Sequence, residues 1–238
     1  MLITELFARV RSLPALGVVL GCLWMLVQPT GAATMAPVTS RIEGFVKLVA
    51  STTPAAIPSG AYPSRRVSRP AGGGPQTRHV VVYLKDAQRT EALPAGKLQI
   101  VQRDEAFEPA VAAVTRGTTV EFPNADPYFH NVFSLSRAAT FDLGRYPSGD
   151  SRARMLDRAG LVKVYCHIHS HMSASILVFD HALFTIPDAD GFFRLEHVPV
   201  GEHVLTAWHE RIGESTKPIV VEAGRTARAE FMLPVEDR

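Results

Sequence analysis

Cys166, His169 and Met172 stand at three-residue intervals directly after the strand-like run Leu161-Val162-Lys163-Val164-Tyr165, and His130 lies 36 residues before Cys166. A thiolate, two imidazoles and a thioether are donors that suit a soft or borderline transition metal. Two His and one Cys in a trigonal plane, completed by a long and weak Met bond, are the ligand set of a mononuclear type 1 copper centre. Asn131, next to His130, is placed to bond the Cys166 loop and hold the two parts of such a site together; an ordinary strand-start Asn fits the same spacing. His167 and His171 are further imidazoles beside the donors. Each either competes for the metal or faces solvent; alternation of direction along the loop favours solvent, with His171 replacing Met172 as the other reading.

The elements that must position these residues are strands. Alternation over residues 161–166 puts Val162, Val164 and Cys166 on one face and Leu161, Lys163 and Tyr165 on the other, so Cys166 shares the apolar face. A buried thiolate is costly without a compensating cation, and a metal supplies one while lowering the thiol pKa. Three donors on one tight loop and a fourth on a separate strand let a rigid β-scaffold fix their geometry.

Short apolar or β-branched runs recur at 42–49, 79–84, 98–101, 110–114, 119–122, 131–134, 161–166 and 175–179, and again at 183–186, 192–195, 203–208, 218–221 and 227–233. Turn residues separate them, among them Arg116-Gly117, Pro123-Asn124-Ala125-Asp126-Pro127, Ala159-Gly160 and Asp188-Ala189-Asp190-Gly191. No long amphipathic pattern of period 3.6 follows the N-terminal segment, so the expected fold is all-β, with a strand count that suits sandwiches. The stretch 51–78, rich in Pro, Ser, Ala, Gly and Arg, reads as a flexible loop. Trp208-His209 is expected to pack against and cap a sheet edge rather than bind anything.

At 238 residues the chain is long enough for one large domain or two modest ones. Residues 1–33 read as an export signal: Arg9 and Arg11 precede an apolar run from Leu13 to Val27, closed by Thr30-Gly31-Ala32-Ala33. The run falls short of the ~20 residues that span a bilayer, which makes an uncleaved anchor the weaker reading. Lipoprotein processing at Cys22 is weaker too, because it would leave Leu23-Trp24-Met25-Leu26-Val27 at the head of the mature chain. Removing the signal takes away Glu5, Arg9, Arg11 and Cys22, leaving 23 basic and 22 acidic residues, a net charge of +1. That balance calls for no nucleic acid. Cys166 is then a lone thiol in an oxidising compartment, and burial, reactivity or metal coordination must account for it.

The pattern Phe122-x-Asn124-x-Asp126-x-x-x-His130-Asn131-Val132, then Ala159-Gly160 and its β-run, then Cys166-x-x-His169-x-x-Met172, resembles the cupredoxins, and the short ligand loop is most similar to that of amicyanin. The resemblance implies a Greek-key β-sandwich over 97–180. In it, His130, Cys166, His169 and Met172 bind one copper ion that shuttles a single electron. Ser170 and His171 stand where amicyanin-like loops carry Pro and an aromatic, and Ala174 where a Gly is usual. The segments Gly44-x-Val46, residues 79–84 and Asp188-x-Asp190-Gly191-x-Phe193-x-Leu195-x-x-Val198-Pro199-x-Gly201-x-x-x-Leu205 are similar to the two halves of a carboxypeptidase regulatory-like, transthyretin-type β-sandwich at 41–86 and 181–238. The copper module is then inserted in, or flanked by, that second sandwich. The layout is similar to exported chains labelled methylamine-utilisation proteins. Asp188 and Asp190 read as a β-turn, since too few ligands follow for a calcium loop.

Export, ligand identity and spacing point to a periplasmic carrier of single electrons between redox partner proteins, with no stable membrane span after signal removal. Copper binding for delivery or sequestration is the alternative, suggested by the surplus histidines. An enzyme with Cys166 as nucleophile and His130 as base lacks a visible oxyanion motif or orienting acid, so no enzymatic role is expected. A zinc or purely structural site is the remaining reading.

Overall fold

The computed structural model describes residues 40–50, 76–90, 93 and 96–235. In chain order these hold β1 (Ser40–Ala50), a 3-10 turn (Gln76–His79), β2 (Val80–Leu84), β3 (Lys97–Gln99), β4 (Val101–Arg103), β5 (Ala106–Glu108), β6 (Val111–Thr115), β7 (Thr118–Pro123), β8 (His130–Ser136) and β9 (Ala139–Tyr146). There follow β10 (Ser151–Leu156), β11 (Gly160–Tyr165), β12 (Ser173–Phe179), β13 (Phe184–Thr185), β14 (Phe192–Val198), β15 (Gly201–His209), β16 (Gly213–Val221) and β17 (Thr226–Val235). The fold is all-β. The export signal expected at 1–33 and residues 51–75 of the expected loop lie outside the described residues, while the end of that loop enters the 3-10 turn. Among the described residues no helix is long and apolar enough to cross a membrane.

Strands β3 to β12 form a five-stranded sheet of order β6-β12-β11-β8-β9, a three-stranded sheet of order β10-β7-β3 and the hairpin β4-β5. Their inward residues, including Val120 and Phe122 of β7, Val132 of β8, Val162 and Val164 of β11 and Ile176 and Val178 of β12, make one buried cluster that also takes in Cys166 and Met172. The remaining strands form sheets of order β14-β1-β17 and β13-β2-β15-β16, with β1 antiparallel to β14 and parallel to β17. Ile42, Phe193, Phe231 and Leu233 from the first of these meet Val80, Val82, Leu205 and Ile219 from the second.

Strand β2 shows why its sequence lacks alternation: all five residues of Val80-Val81-Val82-Tyr83-Leu84 are buried. One face, Val80, Val82 and Leu84, belongs to the cluster just described. The other, Val81 and Tyr83, joins Trp208 of β15 against Val111 of β6 and Leu177 and Phe179 of β12. A strand covered on both faces reads as a continuous apolar run. This third cluster is a seam between the two sandwiches, with the Tyr83 and Phe179 rings 4.8 Å apart. Trp208-His209 packs as expected but caps no edge: β15 lies between β2 and β16, and Trp208 packs into the seam.

Three strands arise where the sequence shows no apolar run. β5 has three residues, β9 carries Asp142, Gly144 and Arg145, and β10 exposes its first five residues, Ser151-Arg152-Ala153-Arg154-Met155. Both β9 and β10 are edge strands, where charged side chains guard against pairing with other chains and erase the hydrophobic signal.

Candidate metal centre

The site begins in the loop ahead of β8. The Asn124 side chain donates to the carbonyl oxygens of Tyr128 (2.8 Å) and Tyr146 (3.3 Å) and accepts from the Asp126 N–H (3.0 Å), an Asx-type turn that fixes the loop. Asp126, 3% exposed, lies with one oxygen 2.7 Å from His130 Nε2 and accepts from the backbone N–H groups of Asp104 (2.7 Å) and Glu105 (3.1 Å). Burial opposes ionisation of this carboxyl, but the His130 contact and the two amides outweigh it and hold its pKa below the ordinary value.

His130, Asn131 and Val132 are buried in succession, although strand alternation would turn one of them outward. The register with β9 shifts between Asn131 and Phe133, the irregularity by which a bulge re-aims side chains. With His130 Nε2 donating to Asp126, the lone pair of the ring sits on Nδ1. That nitrogen is 3.8 Å from Cys166 Sγ and 3.1 Å from His169 Nδ1. His130, Cys166 and His169 thus each bring one donor atom to a single place, all within 4.8 Å of one another. Metal–nitrogen and metal–sulfur bonds of about 2.0–2.3 Å span separations of this size, so the donor set fits one transition-metal ion.

Cys166 follows the end of β11 and is buried, as the faces of that strand predict: Val162 and Val164 point inward while Leu161 is exposed. Between Cys166 and β12 the chain turns back sharply, with the Met172 N–H bonded to the His169 carbonyl at 3.0 Å. Met172 is buried in the same cluster as Cys166. His169 is half-buried, whereas His130 is fully enclosed.

Asn131 links the two parts of the site. Its side-chain oxygen accepts from the His167 N–H at 3.3 Å, and its amide donates to Asp142 at 2.7 Å. The extra imidazoles are not part of the three-donor cluster, although the His171 ring meets that of His169 edge-on at 6.1 Å. His167 is stacked flat on Phe133, ring centroids 3.7 Å apart, with Asp142 3.8 Å away. His171 turns outward, with Nε2 3.2 Å from Glu105 Oε2.

Asp126, Glu105 and Tyr128 are not among the residues that donor type and spacing single out. The acid that the sequence does not show beside His130 is supplied in the structure by Asp126. Its position four residues before His130 was a signal; Glu105 offered none, because only the fold brings it near. The Tyr128 ring lies 5.4 Å from the His130 ring and 5.5 Å from that of His169, and its hydroxyl donates to Glu105 at 3.3 Å. Tyr146, 4 residues beyond Asp142 on β9, is fully buried, donating to the Phe122 carbonyl (2.8 Å) and accepting from Gln102 (2.6 Å); burial pushes its hydroxyl pKa upward. In the second sandwich Asp188 Oδ1 accepts from the N–H groups of Asp190 and Phe192 at 3.0 and 2.9 Å, a self-satisfied turn.

No protein-family model and no curated protein matches the chain. Among solved structures it is similar to a purple cupredoxin from Nitrosopumilus maritimus, at 22% identity over 34% of this chain and 98% of that one, with a TM-score of 0.32. It is also similar to a copper-containing nitrite reductase from Thermus scotoductus, at 23% identity over 41% of this chain and 25% of that one, TM-score 0.34. A Cu(I) amicyanin variant matches at 18% identity over 35% of this chain and 83% of its own length, TM-score 0.33.

Proposed function

We propose that the chain is an exported type 1 copper protein that carries single electrons between periplasmic redox partners. In this reading His130, Cys166, His169 and Met172 hold one copper ion, with Asn131 bracing them. The observation that carries it is the approach of a buried thiol and two imidazole nitrogens to one point, His130 Nδ1 standing 3.8 Å from Cys166 Sγ and 3.1 Å from His169 Nδ1. Copper bound there supplies a one-electron couple with a covalent thiolate contact. The chain's own residues do the rest. Asp126 fixes the His130 ring, the apolar faces of β7, β8, β11 and β12 keep water from the thiolate, and half-buried His169 is the donor nearest solvent.

The Asp126–His130–Cys166 order also resembles a nucleophile, base and acid. Two features argue against that use: Cys166 is 3% exposed, and the nitrogen that would act as base is shared with a second imidazole rather than free for a substrate proton. Copper delivery is the second reading, favoured by the exposed His167 and His171 beside the donors. The flanking sandwich, which resembles a carboxypeptidase regulatory-like domain, serves here as a brace for β12.

The test is voltammetry and optical spectroscopy on the copper-loaded chain and on Cys166→Ser and Met172→Leu. A reversible one-electron wave, lost with the visible thiolate band in Cys166→Ser and shifted in Met172→Leu, is expected. Tight Cu(I) binding with no stable oxidised form would instead favour delivery, and retention of zinc alone would contradict both copper readings.

A further inference from the structure

The hairpin β4-β5 closes through a two-residue turn in which Asp104 and Glu105 both have positive φ, 52° and 54°. Turns of this hand match the twist of the flanking strands but strongly favour Asn-Gly or Asp-Gly, because the second position suits a residue without a side chain. Asp tolerates the left-handed region; Glu pays the steric cost with no local hydrogen bond in return. A non-glycine residue held in such a conformation persists where its surroundings over-determine it, and it points to a role.

The contacts of Glu105 show what that role is. Its N–H donates to Asp126, the carboxylate that holds His130. One of its side-chain oxygens accepts from the Tyr128 hydroxyl, whose ring lies against both His130 and His169. The other lies 3.2 Å from Nε2 of His171, which stands between His169 and Met172. The hairpin is also tied to the loop that ends in His130 by the Ala125 N–H, which donates to the Gln102 carbonyl at 2.8 Å. One residue therefore grips both arms of the centre, the loop that ends in His130 and the loop that runs from Cys166 to Met172.

We propose that Glu105 is a positioning residue for the metal centre, a latch that holds the Cys166–Met172 loop against the His130 arm before metal arrives; this rests on the copper reading given above. An isolated, half-exposed carboxylate–imidazole contact contributes little. Here the Glu105 backbone is already pinned by buried Asp126 and its other oxygen by the Tyr128 hydroxyl, so closing the contact orders little beyond the His171 side chain. With the latch intact the donors stay at the separations a metal needs. Without it the exposed stretch around His169 and His171, between buried Cys166 and Met172, loosens, and His169 parts from the other donors.

Glu105→Gly separates this role from folding, because glycine relieves the turn while deleting both side-chain contacts. The full chain should keep or raise its unfolding midpoint. Amide hydrogen exchange over residues 167–172 should nevertheless quicken in the metal-free protein, and copper release to a chelator should quicken roughly tenfold. Glu105→Gln, which retains an acceptor for Tyr128 and offers a donor to His171, should restore near-normal rates, and Tyr128→Phe, which leaves the turn untouched, should fall between. Unchanged exchange in metal-free Glu105→Gly would overturn the latch even if copper binds as expected. Faster exchange in a chain that binds no copper would uphold the latch and remove the copper reading instead.

Discussion

With Nε2 held 2.7 Å from the Asp126 carboxylate, His130 presents Nδ1 in one direction, and the adjacent negative charge makes that nitrogen a stronger donor. Asp126→Asn should therefore weaken copper binding about 10- to 100-fold, read by competition with a chelator of known affinity. Equal affinity in the two proteins would show that the carboxylate serves the Asp104-Glu105 turn alone. At this scale the sequence was readable where chemistry is local: three donors within seven residues announce themselves by type and spacing. Asp126 left a local trace, four residues before His130, but Glu105 reaches the site only through the fold, when the β4-β5 turn, more than 20 residues away along the chain, places its amides on Asp126.

Strand β1 threads between β14 and β17, and Gly44 marks where its neighbours come closest. A Cβ at that position would lie 1.8 Å from the Ala229 carbonyl oxygen and 2.7 Å from the Phe193 ring. Backbone cannot yield as a flexible side chain does. Gly44→Ala should thus force β1 from β17 and cost at least about 1–3 kcal/mol of stability, measured by urea denaturation. A variant as stable as the parent would mean that the strands part freely there. Elements with β-branched runs, such as β2, β11 and β12, were legible from composition. β9 and β10 were not, since edge positions replace apolar residues with Arg, Asp and Ser; nor was the shift between Asn131 and Phe133 that turns three successive residues inward.

The two sandwiches share a seam, and through it the second one supports β12, the strand that follows the Cys166–Met172 loop. Ala174, Ile176 and Val178 of β12 face the first core, while Leu177 and Phe179 face Tyr83 and Trp208. Ser175 adds a bond to Glu210 at 2.9 Å. Phe179→Ala should cost about 3–5 kcal/mol and lower the midpoint of both sandwiches together, as seen by calorimetry. Two separated transitions, with the first sandwich unmoved, would show that the seam couples nothing. The apolar run of β2 signals that both its faces are covered, but the seam itself was hidden from the sequence, because the run does not say what covers them.

Buried His181 and His209 lie just after β12 and on β15, the strands that meet at this seam. Burial pushes both imidazoles below their ordinary value of 6.5. The unfolded chain therefore takes up protons near that pH which the fold refuses. The contribution of the two imidazoles is full well above 6.5 and declines as pH falls through that value toward their folded-state values, before the lowered carboxyls Asp86, Asp126 and Asp142 lose theirs as pH falls through 3.8. The unfolding midpoint should fall between about pH 7 and pH 5, and His209→Gln should flatten that slope. An unchanged slope in the variant would exclude His209 as a contributor.

The most direct measurement is the optical and EPR spectrum of the unaltered chain after reconstitution with a single equivalent of Cu(II). Convergence of Cys166, His130 and His169 predicts an intense visible thiolate-to-copper band with a narrow copper hyperfine splitting, at a stoichiometry of one ion per chain. A pale protein with the wide splitting of a nitrogen–oxygen site, such as the exposed His167 and His171 would provide, would contradict it.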